Sequence, residues 1–436
     1  MTNQNYKLVL GLEIHMHVKT KTKMFCSCDS NIYADAPNTH TCPTCLGLPG
    51  ALPVPSLDAI KKTQLLGLAL ECTLNRKSMF DRKHYFYPDL GKGYQISQYK
   101  LPFCENGQLT LADGKLIRIE RVHLEEDTAK STHEGNKTLI DFNKSGMPLI
   151  EIVTAPDFRS SEEAVEFCKN IYEIVKACDI SDADMEKGQM RLEANISLRT
   201  QEMEDANTYP AYKVEIKNIN SFRFMEKAVK AEMVRQAEIL ASGGTVLQEN
   251  RGFNEASGKT VSQRSKENAH DYRYFPEPDI PPMEFDDDYI ESLPQFLPEL
   301  PKQTQARLIK DFDLTRDSAQ TLSRFENKAT LALFMDLIAR DIVPQKAANV
   351  LLNKQDARSL TVDELISTYF APASQMDTSA LTEIVNSVLI ENESAVANYK
   401  AGKEASLMFL VGQVMKKASG KASPETVKTL LQELLK

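Results

Sequence analysis

Two groups of residues in this 436-residue chain have the types and spacing for chemistry. The first is a set of thiols. Cys26-Ser-Cys28 and Cys42-Pro-Thr-Cys45 form two tight pairs separated by 13 residues, a spacing compatible with tetrahedral Zn²⁺. Four thiolates complete the coordination sphere and leave no position for a substrate water, so 26–45 is expected to be a structural zinc loop. His40 is near enough in sequence to replace one of them. Cys72, Cys104, Cys168 and Cys178 are scattered and read as ordinary packing residues.

The second group emerges from strand parity. In Leu8 to Val18 (LVLGLEIHMHV) the even positions are apolar, while Gly11, Glu13, His15 and His17 take the other side. Alternate residues of a strand face opposite ways, so one carboxylate and two imidazoles project together. Met190 to Arg199 (MRLEANISLR) repeats the pattern with Arg191, Glu193, Asn195, Ser197 and Arg199. Tyr212 to Lys217 (YKVEIK) does the same with Lys213, Glu215 and Lys217. Two further strand-like runs are acidic, Val122 to Asp127 (VHLEED) and Pro148 to Val153 (PLIEIV). Glu151 sits there among apolar neighbours, which is costly unless it is paired or bound to a cation. Carboxylates plus an imidazole are hard-cation ligands, and Mg²⁺ held by a few of them commonly presents nucleotide phosphates. A solvated charged face has the same pattern. No GxxxxGK[ST] loop is present and Gly91-Lys92-Gly93 alone is a weak signal, so any ATP is held without a P-loop.

These residues need a largely antiparallel sheet with one core face and one water-facing side. Helices should cover the core face. The run 161–178 puts Ala164, Val165, Cys168, Ile171, Tyr172 and Val175 on one stripe after a Ser160/Glu163 capping-box spacing, and 222–241 aligns Met225, Val229, Met233, Gln236 and Leu240. From Pro276 to Pro301 the chain holds seven prolines, eight acids and no Lys or Arg. Proline removes backbone donors and blocks helices, so this stretch reads as a boundary or extended connector. Beyond it the segments are helical, among them 329–340 and 405–418, with a second break at 371–379. The expected fold is α+β followed by all-α, divided into 1–293, a helical domain 294–370 and a helical tail 371–436.

Composition agrees with a globular chain, at 42% hydrophobic and 26% charged residues. A net charge of −9 would argue against a nucleic-acid partner, but the 276–301 connector alone carries −8 of it, so the objection lapses. No leader-like N-terminus and no run of some 18 apolar residues is present, so a soluble, cytoplasmic protein without a membrane partner is expected.

The stretches LGLEIHMHVKTKTKMFCSC, CPTCLGLPGALPV, RKHYFYPDLGKGYQISQY, HLEEDTAK, IDFNKSGMPLIEIVTAPD, YKVEIKNINSF and RSKENAHDYRYFPEPDIPP resemble, in order, the B-subunit family of aspartyl/glutamyl-tRNA amidotransferases. The closing LVGQVMKKASGKASPETVKTLLQELLK is similar to that family's tail. The resemblance implies a cradle-like catalytic domain in a heterotrimer with an amidase-type A subunit and a small C subunit. It implies a ligase that forms a carbon–nitrogen bond with glutamine as amido donor. The side-chain carboxylate of Glu-tRNA(Gln), Asp-tRNA(Asn) or both is phosphorylated with ATP and Mg²⁺, and ammonia arriving by an internal channel displaces the phosphate.

Carried onto this sequence, the resemblance implies His15, Glu125 and Glu151 as Mg²⁺ ligands. It places Glu13, Glu126, Glu193 and Glu215 around a second cation, the nucleotide or the ammonia path. Arg191, Lys213 and Lys217 would stabilise the transferring phosphoryl, and Lys92, Arg264 and Lys266 would approach nucleotide or tRNA. Lys416, Lys417 and Lys421 would meet the tRNA backbone. Gly91 stands where the family usually has Pro, Lys144 where it has Arg, and Leu192-Glu193 where Cys-Asp is frequent. Two other classes would use the same residues: a zinc-stabilised tRNA-binding scaffold without ATP turnover, and a metal-dependent hydrolase that ignores tRNA.

Overall fold

A computed structural model describes residues 6–265, 272–371, 378–418 and 422–435. The side chains of Asn218, Arg264, Ser265 and Thr378 lie outside that description. The chain divides into two compact units, 1–307 with 323–326, and 308–322 with 327–436.

The first unit is built on nine strands: β1 (Tyr6–His17), β2 (Thr73–Leu74), β3 (Cys104–Thr110), β4 (Leu116–Glu126), β5 (Pro148–Thr154), β6 (Met190–Thr200), β7 (Val214–Ile219), β8 (Glu249–Asn254) and β9 (Lys259–Ser265). Their order is β9-β8-β7-β6-β1-β5-β4-β3-β2, antiparallel throughout except where β7 meets β8. The alternation in β1 puts Leu8, Leu10, Leu12, Ile14 and Met16 into the core, none more than 3% exposed. Three helices cover that face: α1 (Leu57–Ala69), α2 (Ser161–Ala177) and α3 (Phe222–Ala241). Each starts where a serine hydroxyl, of Ser56, Ser160 or Ser221, accepts an orphan backbone N–H. Only half of the capping box at α2 forms, because the Glu163 carboxylate accepts from Arg159 N instead of turning back to Ser160.

A small sheet pairs Asp81–His84 with Tyr94–Ser97 and Phe275–Pro276. The Pro/Asp-rich stretch carries more structure than its prolines suggest. Glu277 is buried and paired to Arg82 at 2.7 Å. Ile280 and Leu293 are buried, and Asp286 caps a short helix, Asp287–Ser292.

The second unit is all-helical. It includes Lys328–Ile338, Pro344–Asn353, Thr378–Glu391, Ala405–Lys417 and Pro424–Leu434. One apolar cluster gathers around Phe334, Leu337 and Leu351, and another around Val385, Leu410, Val414 and Leu431. The molecule is thus α+β followed by helices, as the periodicity indicated. Among the described residues no helix is long and apolar enough to cross a membrane.

Candidate functional site

Register assembles the site. β1 lies between β5 and β6, so His15 stands opposite both Glu151 and Arg191, and Glu13 opposite Glu193. β5 in turn sets Glu151 opposite His123 and Leu149 opposite Glu125. Residues opposite one another in antiparallel strands share a face at side-chain contact distance. Nε2 of His15 is accordingly 3.4 Å from Oε2 of Glu151 and 3.8 Å from Oε1 of Glu125. His123 approaches the same two carboxylates at 3.2 and 3.8 Å. One donor atom each from His15, Glu125 and Glu151 fall within 4.8 Å of one another, so an imidazole and two carboxylates fit a hard divalent cation. Two imidazole nitrogens in this cluster, Nδ1 of His15 and of His123, are buried without a hydrogen-bond partner.

Charge follows from the crowding. Burial by itself would lower the His15 imidazole, but Glu151, Glu193 and Glu125 outweigh it and raise it to about 9. His123 is raised by the same carboxylates against the same burial. Glu151, despite its burial, is held well below the usual carboxylate range by His123 and His15.

A second triad lies beside the first. Carboxylate oxygens of Glu13, Glu193 and Glu215 fall within 4.8 Å of one another. Nζ of Lys217 is 3.1 Å from Glu193 and 3.0 Å from Glu215, and Asn195 donates to Glu13 at 2.9 Å. Burial pushes the Glu215 carboxyl up. Asp127 anchors a third group. It meets Nε2 of His17 at 2.7 Å, Lys144 at 3.0 Å and Arg191 at 3.3 Å, and Tyr33 takes the other nitrogen of His17.

The expectation of a water-facing side is corrected. Glu125 is 3% exposed and Glu151 7%, because the small sheet covers them. Ser97 on strand Tyr94–Ser97 donates to Glu125 at 3.1 Å, and Lys83 on the neighbouring strand is raised by Glu125 and Glu151 against its own burial. Alternation within one strand cannot reveal a second sheet laid over its polar face.

Not every expected residue reaches these clusters. Glu126 takes the opposite side of β4 from Glu125, pairs with Lys92 at 2.7 Å and accepts Ile96 N at 2.9 Å. Both line a cavity of about 220 Å³ together with Cys26, Cys45 and Gly146. Lys213 is exposed and precedes β7. Arg264 pairs through its backbone with Asn250, but its side chain, Lys266 and Lys421 lie outside the described residues. Lys416 is exposed, and Lys417 pairs with Glu391.

The four cysteines Cys26, Cys28, Cys42 and Cys45 bring their sulfurs within 4.8 Å of one another, which fits a tetrahedral zinc. Backbone N–H of Cys42 donates to Sγ of Cys45 at 3.1 Å. A hydrogen bond from Cys26, with Lys23 behind it, holds the Cys45 thiol down at about 4. His40 is not among the donors, being paired with Asp35 at 2.6 Å. Lys23 is fully buried, and its Nζ meets the carbonyls of His40 and Phe142 at 2.7 and 3.2 Å and Sγ of Cys45 at 3.6 Å.

His123, Asp127, Lys83 and Lys23 did not stand out in the sequence. The parity of VHLEED places His123 with Glu125, so that signal was available. Lys23 gives none, since its partners are distant in sequence.

Comparison with known proteins agrees with this architecture. The GatB/GatE catalytic domain matches residues 8–291 and the GatB domain matches 301–435. The chain is 40% identical to the B subunit of aspartyl/glutamyl-tRNA(Asn/Gln) amidotransferase from Persephonella marina, over 99% of this chain and 100% of that protein. It is 38% identical to the protein of that name from Brevibacillus brevis and 40% to the one from Caldicellulosiruptor saccharolyticus, each over 99% of both chains. The chain therefore belongs to the GatB family of amidotransferase B subunits.

Proposed function

We propose that this chain is the component of a tRNA-dependent amidotransferase in which the side-chain carboxylate of a misacylated tRNA is activated with ATP. The observation that carries this reading is the meeting of His15, Glu125 and Glu151 on one sheet face, beside the Glu13, Glu193 and Glu215 triad. The relatives' name supplies the substrate class, Glu-tRNA(Gln), Asp-tRNA(Asn) or both.

A free carboxylate is a poor acceptor for ammonia, so it must first gain a leaving group. A carboxylate oxygen attacks the γ-phosphorus of ATP and ADP departs. Ammonia then attacks the acyl carbon, the bond to phosphate breaks, and a proton is lost as the amide forms. Such transfer between anions depends on positioning and fixed positive charge more than on covalent help. His15, Glu125 and Glu151 would hold Mg²⁺, which would supply positive charge to the transfer. Arg191, steered by Asp127, and Lys217, steered by Glu193 and Glu215, add preorganised cations at the rim. Glu13, Glu193 and Glu215 would hold a second cation or orient the nucleotide.

Glu126 fits the path of ammonia, which reaches the site from a glutamine-hydrolysing A subunit. A small C subunit completes the complex. Lys213 would add charge for the transferring phosphoryl, Lys92, Arg264 and Lys266 would approach nucleotide or tRNA, and the zinc loop 26–45 is structural. In this reading 1–293 is catalytic, 294–370 is a helical domain, and 371–436 is a tail that meets tRNA through Lys416, Lys417 and Lys421. The substrate places the work in the cytoplasm.

The test measures phosphate release from ATP by the reconstituted complex with and without misacylated tRNA. Release should require the charged tRNA and fall at least about 100-fold in Glu151→Gln. Release that ignored the charged tRNA would sink the proposal.

A further inference from the structure

A wall of aromatic rings runs from the first carboxylate cluster to the surface. Tyr274 lies against Tyr272 with ring centroids 6.2 Å apart, and Tyr272 against Tyr85 at 6.1 Å. Nζ of Lys83 sits 5.0 Å from the Tyr272 ring while feeling Glu125 and Glu151 on its other side. The outer end of the wall is Tyr99. Its ring stacks on Tyr274 at 4.5 Å with only 13° between the planes, yet the residue remains 54% exposed. One face of the Tyr99 ring is therefore covered while more than half of the residue stays exposed, which leaves surface on which a third flat ring can continue the stack.

The open ring is also rigidly placed. The buried carboxylate of Asp81 accepts the backbone N–H of Tyr99 at 2.9 Å and of Lys100 at 3.2 Å. Lys100, the next residue, is exposed, so a cation follows the ring in the chain. Ser97, two residues earlier, touches Glu125. The Cα atoms of Ser97 and Tyr99 are no more than about 7 Å apart, so the ring is carried two residues beyond a direct contact with the cation cluster. An aminoacyl side chain spans a comparable distance between its reacting carboxylate and the ribose that carries it.

We infer that Tyr99, backed by Tyr274, is the stacking platform for the 3′-terminal adenosine of the acylated tRNA, with Lys100 beside it for the preceding phosphate. The inference rests on the function proposed above and names the subsite that presents the substrate there. A platform of this kind sets the reach of the attached carboxylate, because the base is fixed by its π face and the aminoacyl group extends inward along Ser97.

The test uses the reconstituted complex and the variants Tyr99→Leu and Tyr99→Phe. Tyr99→Leu should raise the KM for misacylated tRNA about tenfold while leaving the KM for ATP unchanged, and Tyr99→Phe should restore it. A second readout avoids turnover: the glutamyl amide of 3′-amino-3′-deoxyadenosine should bind the wild-type complex and lose about tenfold in affinity in Tyr99→Leu. A rise in the KM for ATP would assign the ring to the nucleotide and overturn the inference. So would failure of Tyr99→Leu to assemble with the A subunit, which would make the ring part of the interface with that protein. Unchanged tRNA KM in a wild-type-like complex would overturn the platform alone. A wild-type complex whose ATP cleavage ignores tRNA would instead break the underlying function.

Discussion

His15 keeps a proton in the metal-free protein because three carboxylates surround it. With the imidazole raised to about 9, its contribution to stability is complete below the ordinary value of 6.5 and disappears as pH climbs through about 9. A divalent cation needs the neutral ring, so binding at this cluster must expel that proton. Mg²⁺ titrated near neutral pH should release about one proton, seen as a binding heat that changes with the ionisation enthalpy of the buffer. A buffer-independent heat would remove His15 from the ligand set. Lys23 makes a second case. A fully buried ammonium with two carbonyls needs an anion, and the nearest sulfur is that of Cys45. Replacing it, Lys23→Met, should weaken zinc binding roughly 10–100-fold in chelator competition. Unchanged affinity would reduce Lys23 to a packing residue. At this scale parity alone brought Glu13, His15, Glu193 and Glu215 to one side. It could not show Lys23, whose partners at positions 40, 45 and 142 converge only on folding.

The elements explain why the clusters are rigid and why they are covered. β1 is central, paired with β6 from Tyr6 to Met16 and with β5 from Glu13 to His17, and its inner residues are buried. Trimming one of them, Ile14→Ala, should cost about 2–5 kcal/mol in denaturant unfolding. The long strands and α2 and α3 were legible because ten or more residues of consistent period outvote local noise. The four-residue strands Asp81–His84 and Tyr94–Ser97 were not, although they roof the site. Nor did the composition of 276–301 reveal that Glu277 turns inward onto Arg82. Removing that carboxylate leaves the Arg82 guanidinium with only the more exposed Asp279 as a partner. Glu277→Ala should therefore cost about 1–3 kcal/mol and speed amide exchange at Asp81–His84 before the main sheet opens. Exchange that accelerated uniformly would mean that the small sheet and the large one unfold as a single body.

For the whole molecule, net charge is a poor guide to partner until it is located. The acidic stretch that dominates it is partly neutralised in place, with Glu277 and Asp279 on Arg82, Glu284 on Lys77 and Asp287 on Arg76. What remains for a polyanion is local basic surface, such as the one proposed on the tail. Lys416 is exposed on the last turn of Ala405–Lys417, where cations also suit the helix C-terminus. Lys417 is already engaged by Glu391, so reversing it sets two acids together besides removing a cation. The variant Lys416→Glu with Lys421→Glu is therefore the cleaner probe. In the assembled complex it should weaken tRNA binding, and the slope of log affinity against log salt should shrink by about 1 for each phosphate that is no longer neutralised. Glutamine hydrolysis measured without tRNA should stay unchanged, because the proposed function assigns that chemistry to the A subunit. An unaltered salt slope would place the tRNA backbone elsewhere on the chain.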